Sequence, residues 1–359
     1  MNIECFEVRR EDLSATRVVS TGCPELKDGE ILTQVECFAL TANNITYAVV
    51  GASFGYWRFF PTEANWGIIP VWGFARVVDS RHADVKTGER LYGYFPMGTH
   101  LVMSPGKLCD ENFTDEAMHR TELPPVYNFY VRTDREPSYD SSLDNERMLL
   151  FPLYATSFCL CDFLQDNSYF DASQIIILSA SSKTAIGLAY GLRDDAELLP
   201  RVGLTSTRNK ARVEALGLYT TVLTYDELNA VDKKLASVIV DMSGDGGVLS
   251  ELHRILGDNM VFTSKVGATH YTANQPGPQF IRSRSSMFFA PGHIRKRTLD
   301  WGAEKFSARV SEFWYIAALR SRDWLVFEYY AGMTALPRAY RQVLEAKTSP
   351  ETGIIVSLN

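Results

Sequence analysis

The stretch Ser173–Leu192, SQIIILSASSKTAIGLAYGL, decides the fold of the second half of this chain. It begins with the apolar run Ile175–Leu178, which is typical of a buried strand. The small residues Ser179–Ser182 follow, and apolar side chains then recur at helical spacing up to Leu192. The stretch therefore predicts a strand, a tight turn and a helix. The free N–H groups and the positive dipole end at the start of such a helix favour a bound phosphate.

The residues that follow repeat this rhythm. Further strands are predicted at 202–205, 221–225, 236–241 and 260–265, with helices at 209–216 and in the segment that ends at Leu256. Strands that alternate with helices form parallel sheets that helices cover on both faces. The second half therefore predicts an α/β domain built on a doubly wound parallel sheet.

The first 110 residues differ, because short strands separated by Gly and Pro predominate there. These strands are predicted at 30–37, 68–79, 90–95 and 99–103, and Pro70 and Gly73 interrupt the second of them. The pattern favours a small barrel or sandwich. Residues 111–146 are polar and lack periodicity, so they predict a linker or long loop before a buried helix at 149–164.

The last 90 residues or so are mixed in character. Residues 271–300 predict an irregular segment with a basic cluster between Arg282 and Arg297, and 301–330 predict an aromatic-rich helical segment. The tail predicts a helix, a turn at Gly353 and a last strand. The basic cluster is read as a solvated loop or an interface edge, with contact to an anionic substrate or cofactor phosphate as a minority alternative.

Composition sets the remaining bounds. The chain has 359 residues, of which 46% are hydrophobic and 22% charged, which suits two soluble globular domains. The formal net charge of −7 speaks against nucleic acid as a partner, and no apolar run is long enough to predict a membrane span. The N-terminus does not resemble a signal peptide, and the six cysteines lack C-x-x-C spacing. We therefore expect reduced thiols and a cytoplasmic location.

Several segments together resemble the zinc-free medium-chain dehydrogenase/reductases of the quinone oxidoreductase and enoyl reductase type. The segments that carry the resemblance are Glu30–Gly51, Pro70–Val78 (without its second glycine), Thr87–Tyr92, Leu149–Thr156, Val222–Glu227, Val240–Gly244 and the tail from Ala335 to Leu358. The resemblance implies a GroES-like catalytic domain at 1–148, a Rossmann-type cofactor domain at 149–300, and a helical segment with a return to the catalytic domain at 301–359. The run ANNITYA at 42–48 also resembles a family related to these reductases to which we can assign no activity.

The resemblance implies a site for the cofactor diphosphate at the turn. The reductase pattern G-A-x-G-G-V-G becomes SASSKTA here, so every motif glycine is replaced. The residues expected to bind the diphosphate are Ser179, Ala180, Ser181, Ser182, Lys183 and Thr184. The alternative is that these serines only cap a structural helix.

The next strand predicts which dinucleotide would bind. Domains that prefer NAD carry an acidic residue near its end, but this chain has Ser206, Arg208 and Lys210 there. Hydroxyls and cations suit a 2′-phosphate, so NADP is the expected cofactor. The alternative is a helix cap followed by a solvated basic turn.

Further along the domain, the resemblance places Tyr225 beside the adenine side of the cofactor. It also places Lys265 and Val266, with Gly267 after them, near the nicotinamide amide. The alternative for these last residues is a turn that simply ends a strand.

In the first domain the resemblance implies that Thr41, Asn44 and Tyr47 line the substrate cleft. A tyrosine hydroxyl or asparagine amide there can stabilise an oxyanion or deliver a proton. The alternative is a polar loop that closes the barrel through side-chain-to-backbone bonds. Cys37 and His82 do not match the metal ligands of the zinc alcohol dehydrogenases, so we expect no metal.

These observations together predict a zinc-independent, NADPH-dependent oxidoreductase. Its partner would be a small-molecule substrate of the conjugated carbonyl, quinone-like or enoyl-like kind, and neither nucleic acid nor a membrane is expected. A homodimer is allowed, because relatives often pair through the edge of the cofactor-domain sheet. Two alternatives stay open: a non-redox enzyme of the lyase or hydratase type, and a nucleotide-binding regulatory protein on the same fold.

Overall fold

The computed structural model describes residues 2–137, 139–194, 199–266 and 275–358. Its strands are β1 Asn2–Arg9, β2 Asp12–Gly22, β3 Ile31–Leu40, β4 Trp66–Gly67, β5 Pro70–Ser80, β6 Arg90–Pro96, β7 His100–Met103, β8 Pro105–Gly106, β9 Asn112–Asp115, β10 Phe129–Arg132, β11 Gln174–Leu178, β12 Arg201–Thr205, β13 Thr221–Thr224, β14 Ser237–Asp241, β15 Met260–Lys265, β16 Ser285–Met287, β17 Val326–Ala331 and β18 Thr352–Ser357. Its α-helices are α1 Ala42–Val49, α2 Asp144–Asp166, α3 Lys183–Arg193, α4 Lys210–Ala215, α5 Gly246–Leu256, α6 Ala290–Trp301, α7 Ala303–Ser321 and α8 Gly332–Leu344. The chain is therefore mixed α/β.

The chain divides into two compact units. The first unit contains the residues up to Leu149 and those from Arg322 onward, and the second unit is Leu150–Ser321. Helix α7 lies in the second unit, whereas β17, α8 and β18 lie in the first. The segment expected at 301–359 is therefore shared between the two units.

The first unit is built on a nine-stranded sheet. Its strand order is β17-β18-β3-β5-β6-β10-β9-β8, and β7 also pairs with β3. The last strand of the chain lies antiparallel to β3, with Ile354 opposite Leu40. Strands β1, β2 and β4 form a smaller sheet. Buried aromatic side chains dominate the core, among them Phe6, Phe38, Phe59, Tyr94 and Phe113.

The prediction of a linker at 111–146 is wrong. This segment contributes β9 and β10 to the large sheet, and it contains the fully buried Arg120. Arg120 Nη1 lies 3.1 Å from the buried Asp115 carboxylate and donates a 2.8 Å hydrogen bond to Tyr130 Oη. A charge can be buried when a partner of opposite charge and hydrogen bonds compensate it, so polar composition did not mean solvent exposure here.

Three smaller predictions are also corrected in the first unit. Strand β5 runs without a break from Pro70, which fits because proline is tolerated as the first residue of a strand. Residues 326–330, expected to be helical, belong to β17, and Gly353 lies inside β18. The aromatic run VFEYYA alternates only partly in burial, because β17 is an edge strand that pairs with β18 alone.

The second unit contains a six-stranded parallel sheet in the order β13-β12-β11-β14-β15-β16. This is the strand order of a dinucleotide-binding domain, and the five strands expected from 175 to 265 are confirmed. Ile175 and Ile177 belong to the core on one face, whereas Ile176 and Leu178 belong to the core on the other. Because both faces are covered, the whole of β11 is buried, and its sequence is continuously apolar.

The segment 271–300 is more regular than expected where the structure describes it, because it includes β16 and α6. Its basic cluster is partly paired. Arg297 is buried and its Nη2 lies 2.8 Å from Asp166, and Lys296 Nζ lies 2.9 Å from the same carboxylate. These ion pairs join α6 to α2.

One helix among the described residues, Ser141–Asp166, is long and apolar enough to cross a membrane by length and composition alone. Most of its apolar window is buried within the protein. Core helices of globular proteins meet the same criterion, so this helix is weak support for a membrane span.

Candidate functional site

The carboxyl ends of the parallel strands in the second unit carry most of the predicted site residues. Strand β11 lies between β12 and β14, and the chain passes from β13 at one edge across to β14. Open α/β sheets bind their ligands at such a switch point, outside the carboxyl ends of the strands. Ser179 follows β11 and Asp241 ends β14, so the two lie at this point.

The predicted phosphate turn begins with a residue in an unusual conformation. Ser179 has a φ of 57°, in the left-handed region where glycine is favoured. Its carbonyl accepts a hydrogen bond from Ser182 N at 2.8 Å, and its amide donates to Tyr225 Oη at 3.1 Å. The carbonyl of Ala180 accepts a hydrogen bond from Tyr219 Oη at 2.9 Å. Hydrogen bonds from two tyrosines therefore stabilise, in a turn without glycine, the backbone conformation that glycine adopts without strain.

The remaining residues of the turn lie at the start of α3. Ser182 caps this helix, since its hydroxyl accepts a hydrogen bond from Ala185 N at 3.3 Å. Lys183 and Thr184 form its first turn and are half-buried. The carbonyl of Thr184 accepts a hydrogen bond from Ser157 Oγ at 2.8 Å.

Ser181 points toward the neighbouring strand. Its buried hydroxyl lies 3.2 Å from Asn209 Nδ2 and 3.4 Å from Thr205 Oγ1. Both partners donate, so the Ser181 hydroxyl still has a proton to donate. The composition of the turn did not predict Asn209, which the fold brings to Ser181 from 28 residues further along the chain.

The basic turn after β12 shows two different states of its cations. Arg208 is exposed and forms no hydrogen bond or ion pair with any residue that the structure describes. Lys210 Nζ lies 2.7 and 3.0 Å from the two carboxylate oxygens of Glu227. The hydroxyl of Ser206 is buried and has no hydrogen-bond partner among the described residues. Of these groups, the exposed Arg208 guanidinium is the one suited to receive an anion from solvent.

Tyr225 follows β13 and lies at the same edge of the sheet. Burial raises the pKa of its hydroxyl to about 12, although the hydrogen bond from the Ser179 amide opposes this shift. The hydroxyl is therefore neutral at physiological pH. It accepts from the turn and can donate its own proton to a further acceptor.

Lys265 and Val266 end the fifth strand. The amide of Val266 donates to the Asp241 carbonyl at 2.8 Å, and the Lys265 carbonyl accepts from Phe288 N at 2.7 Å. The Lys265 ammonium lies 5.8 Å from the centre of the Phe280 ring. These backbone groups are therefore used within the sheet, and Gly267 lies outside the described residues.

Sequence reasoning missed Asp241 as a candidate. Its buried carboxylate accepts hydrogen bonds from Ser243 N at 2.8 Å, Ser243 Oγ at 2.7 Å and Gly244 N at 3.1 Å. Burial raises its pKa, and these hydrogen bonds together with the charge of Lys265 oppose the shift. The sequence Asp-x-Ser-Gly, which begins at the last residue of a strand, was the signal, because Asp readily bonds to the backbone two residues on.

In the first unit, Thr41 and Asn44 form the cap of α1. Asn44 Oδ1 accepts from Thr41 N at 2.8 Å, Asn44 Nδ2 donates to the Pro70 carbonyl at 2.9 Å, and Thr41 Oγ1 accepts from Asn43 N at 3.1 Å. This is a capping box, which explains the sequence T-A-N-N at the start of the helix. The buried Asn44 also ties α1 to β5.

Tyr47 lies on the same helix but in different surroundings. Its ring packs within 4.6 Å of Tyr56 and 5.7 Å of Tyr94, measured between ring centres, and Trp72 Nε1 donates to its hydroxyl at 3.4 Å. Burial raises the pKa of Tyr47 well above its ordinary value. Nearby, the buried Tyr94 hydroxyl has no hydrogen-bond partner among the described residues, whereas Tyr56 and Tyr127 bond to each other at 2.9 Å.

Within the described ranges, no three His, Cys, Asp or Glu side chains are arranged to hold a metal ion. Cys37 lies in β3, and burial raises its pKa to about 12, so its thiol stays protonated. His82 lies in a loop after β5, where its Nδ1 accepts from Asp84 N at 3.0 Å.

Several solved structures have a similar fold, and some of them are reductases by name. CurA from Vibrio vulnificus in complex with NADPH is 14% identical, with a TM-score of 0.64 over 99% of both chains. A putative NADPH:quinone reductase from Bacillus thuringiensis is 12% identical, with a TM-score of 0.60 over 100% of both chains. A mutant enoyl thioester reductase from Candida tropicalis is 12% identical, with a TM-score of 0.57 over 99% of this chain and 100% of the other. At these identities the likeness concerns the fold.

Sequence comparison is more specific about the family. No curated protein matches the chain. A family model described as "Protein of unknown function (DUF2855)" matches residues 38–349, which is most of the chain. The chain therefore belongs to the DUF2855 family, and it has the fold of the medium-chain dehydrogenase/reductases, with a GroES-like unit and a Rossmann unit.

Proposed function

We propose that this protein is an oxidoreductase that uses NADPH to reduce a conjugated carbonyl compound of the quinone or enone type. The observation that carries the proposal is the polar edge after β12. There the exposed Arg208 has no partner among the described residues, and the buried Ser206 hydroxyl lacks a hydrogen bond.

These groups favour NADPH over NADH. An acid at this point would bind the 2′-hydroxyl of NADH through hydrogen bonds and would repel a phosphate. A guanidinium and a free hydroxyl offer charge-assisted hydrogen bonds to a phosphate instead. The presence of NADPH in the similar structure of CurA supports the same choice.

When bound, NADPH supplies a hydride, and the protein then has to orient the reactants and stabilise the charge that develops on the substrate oxygen. In the first unit, Tyr47 is the residue we assign to this second task. Its raised pKa keeps the phenol protonated, so it is a hydrogen-bond donor at neutral pH. Thr41 and Asn44 already use their polar atoms in the helix cap, which leaves Tyr47 as the donor among the three.

A nucleotide-binding regulatory protein is the second candidate. The observation in its favour is that the Ser179 amide already has a hydrogen-bond acceptor in Tyr225. A turn whose polar groups are satisfied internally would hold a diphosphate less tightly than the glycine-rich turn of a reductase.

The test is a titration of the full chain with NADPH and with NADH, following energy transfer from its six tryptophans to the reduced nicotinamide. We expect saturable NADPH binding, with NADH weaker by about tenfold or more. Absence of NADPH binding at millimolar concentrations would remove the reductase proposal. Tight binding without NADPH oxidation across a panel of enones and quinones would favour the regulatory or non-redox alternatives.

A pair of variants tests the role of Tyr47. Tyr47→Phe is expected to lower kcat by about 10²-fold, on the scale of a lost hydrogen bond to an oxyanion, and to leave the Kd for NADPH unchanged. The matched control is Tyr56→Phe, which removes a buried hydroxyl that bonds to Tyr127 in the same aromatic cluster. An equal loss of kcat in both variants would mean that Tyr47 has no special role.

A further inference from the structure

The end of β12 has no acidic residue of its own, but an acidic side chain from the segment after β13 lies near it. Glu227 follows β13, and its carboxylate lies against the Lys210 ammonium at 2.7 and 3.0 Å. The same carboxylate accepts a 2.8 Å hydrogen bond from Thr224 N, as part of a capping box. Glu227 is therefore fixed by its own backbone, and it holds Lys210 beside the expected 2′-phosphate site.

The two cations of the basic turn are consequently unequal. The Lys210–Glu227 pair has no net charge, whereas Arg208 keeps a full positive charge without a partner among the described residues. A phosphate that approaches this turn is attracted by Arg208. It also meets the Glu227 carboxylate, which repels it and competes for the Lys210 ammonium.

We propose that Glu227 is a specificity-determining residue that weakens binding of the 2′-phosphate by neutralising Lys210. The inference rests on the proposed use of NADPH. It assigns Arg208 as the principal phosphate contact and Glu227 as the group that limits the preference for NADPH over NADH. A carboxylate near the ribose does not bar NADH, which has no phosphate to repel.

The variant Glu227→Gln separates the charge of this residue from its structural role. Glutamine serves in capping boxes as glutamate does, so it keeps an oxygen to accept the Thr224 amide. It removes the negative charge and frees the Lys210 ammonium. The matched control is Glu251→Gln on α5, because Glu251 also forms an exposed ion pair, with Arg254, and the net charge changes equally.

The experiment measures the Kd of NADPH and of NADH for the wild type and both variants at low ionic strength and at about 0.5 M salt. Glu227→Gln should tighten NADPH by about three- to fivefold at low salt, the scale of one exposed charge acting on another, and should leave NADH unchanged. The gain should shrink at high salt because mobile ions screen exposed charges. Glu251→Gln should change neither cofactor.

The other outcomes overturn the inference in distinguishable ways. If the wild type binds NADPH but Glu227→Gln binds it equally or more weakly, Glu227 is a structural or orienting residue, and the proposed function stands. A parallel gain for NADH would show that the effect does not involve the 2′-phosphate. If neither protein binds NADPH, the inference and the proposed function fail together.

Discussion

The polar segment 41–44 at the start of α1 in the first unit has residues as polar as those of the basic turn after β12 in the second unit, yet the hydrogen bonds of the two segments differ. In segment 41–44, the polar atoms of Thr41 and Asn44 form hydrogen bonds within the helix cap and to the Pro70 carbonyl. In the turn, the Ser206 hydroxyl and the Arg208 guanidinium have no partner among the described residues. Residue type alone makes both segments candidate sites, whereas the state of their hydrogen bonds separates a structural segment from one that is free to bind.

The largest expected effect tests the basic turn. Arg208→Ala should weaken NADPH binding by about 1.5–3 kcal/mol, the scale of a lost charge-assisted hydrogen bond, and should leave NADH nearly unchanged. Both Kd values can be measured by the same fluorescence titration. An equal rise in the two Kd values would contradict the assignment of the 2′-phosphate. The turn would then have a structural role, as segment 41–44 has.

The next effect in size concerns His253, a buried histidine in the second unit. Both of its ring nitrogens have hydrogen-bond partners within the protein. His253 Nδ1 accepts from Ile281 N at 2.9 Å, so we assign the proton to Nε2, which lies 2.9 Å from Thr263 Oγ1. Burial lowers the pKa of His253 to about 4. His253 is therefore neutral in the folded protein at pH values where the unfolded chain protonates it, below the ordinary histidine pKa of about 6.5.

The free energy of unfolding should consequently fall by up to about 3 kcal/mol as the pH drops from about 6.5 to about 4, and this group should add no further loss below that. Chemical denaturation at a series of pH values measures the change. His253→Gln should flatten the profile in this window. An unchanged profile would show that the histidine is hydrated rather than held as the hydrogen bonds indicate.

The smallest expected effect tests the polar segment 41–44 at the start of α1. Asn44→Ala should lower the free energy of unfolding of the first unit by about 1 kcal/mol, because it removes half of the capping box and a partner of the buried Pro70 carbonyl. The Kd for NADPH should not change. A loss of cofactor affinity with unchanged stability would reverse the comparison and return Asn44 to the list of functional residues.

Local pattern was sufficient for β11 to β15 of the second unit, because each of these strands is a short, largely apolar run between turn residues, whereas the polar strand β16 was not predicted. The run 175–178 is buried on both faces, so its composition reports its place directly. The first unit was harder to predict, since its strands pair across long sequence separations. The Asp115–Arg120 ion pair shows why 111–146 looked like a linker: charged residues are read as exposed until the fold brings their partners together.

The candidate site divides in the same way. The basic turn was visible in the sequence because Ser206, Arg208 and Lys210 are neighbours. The partners that determine whether these residues are available to a ligand could not be predicted. Glu227 contacts Lys210, and Asn209 contacts Ser181, only because of the arrangement of the strands. Sequence spacing predicted which groups lie at the sheet edge, and it could not predict which of them are already engaged.

The hydrogen bond from the Ser179 amide to the Tyr225 hydroxyl joins the ends of β11 and β13, which lie on either side of β12. The sheet edge that we expect to bind a nucleotide is thus held in place by this hydrogen bond in the ligand-free protein. A braced surface loses little conformational entropy on association. We therefore expect a small entropic cost of nucleotide binding at this edge, and we expect the Ser179 amide to exchange slowly with deuterated solvent in the ligand-free protein.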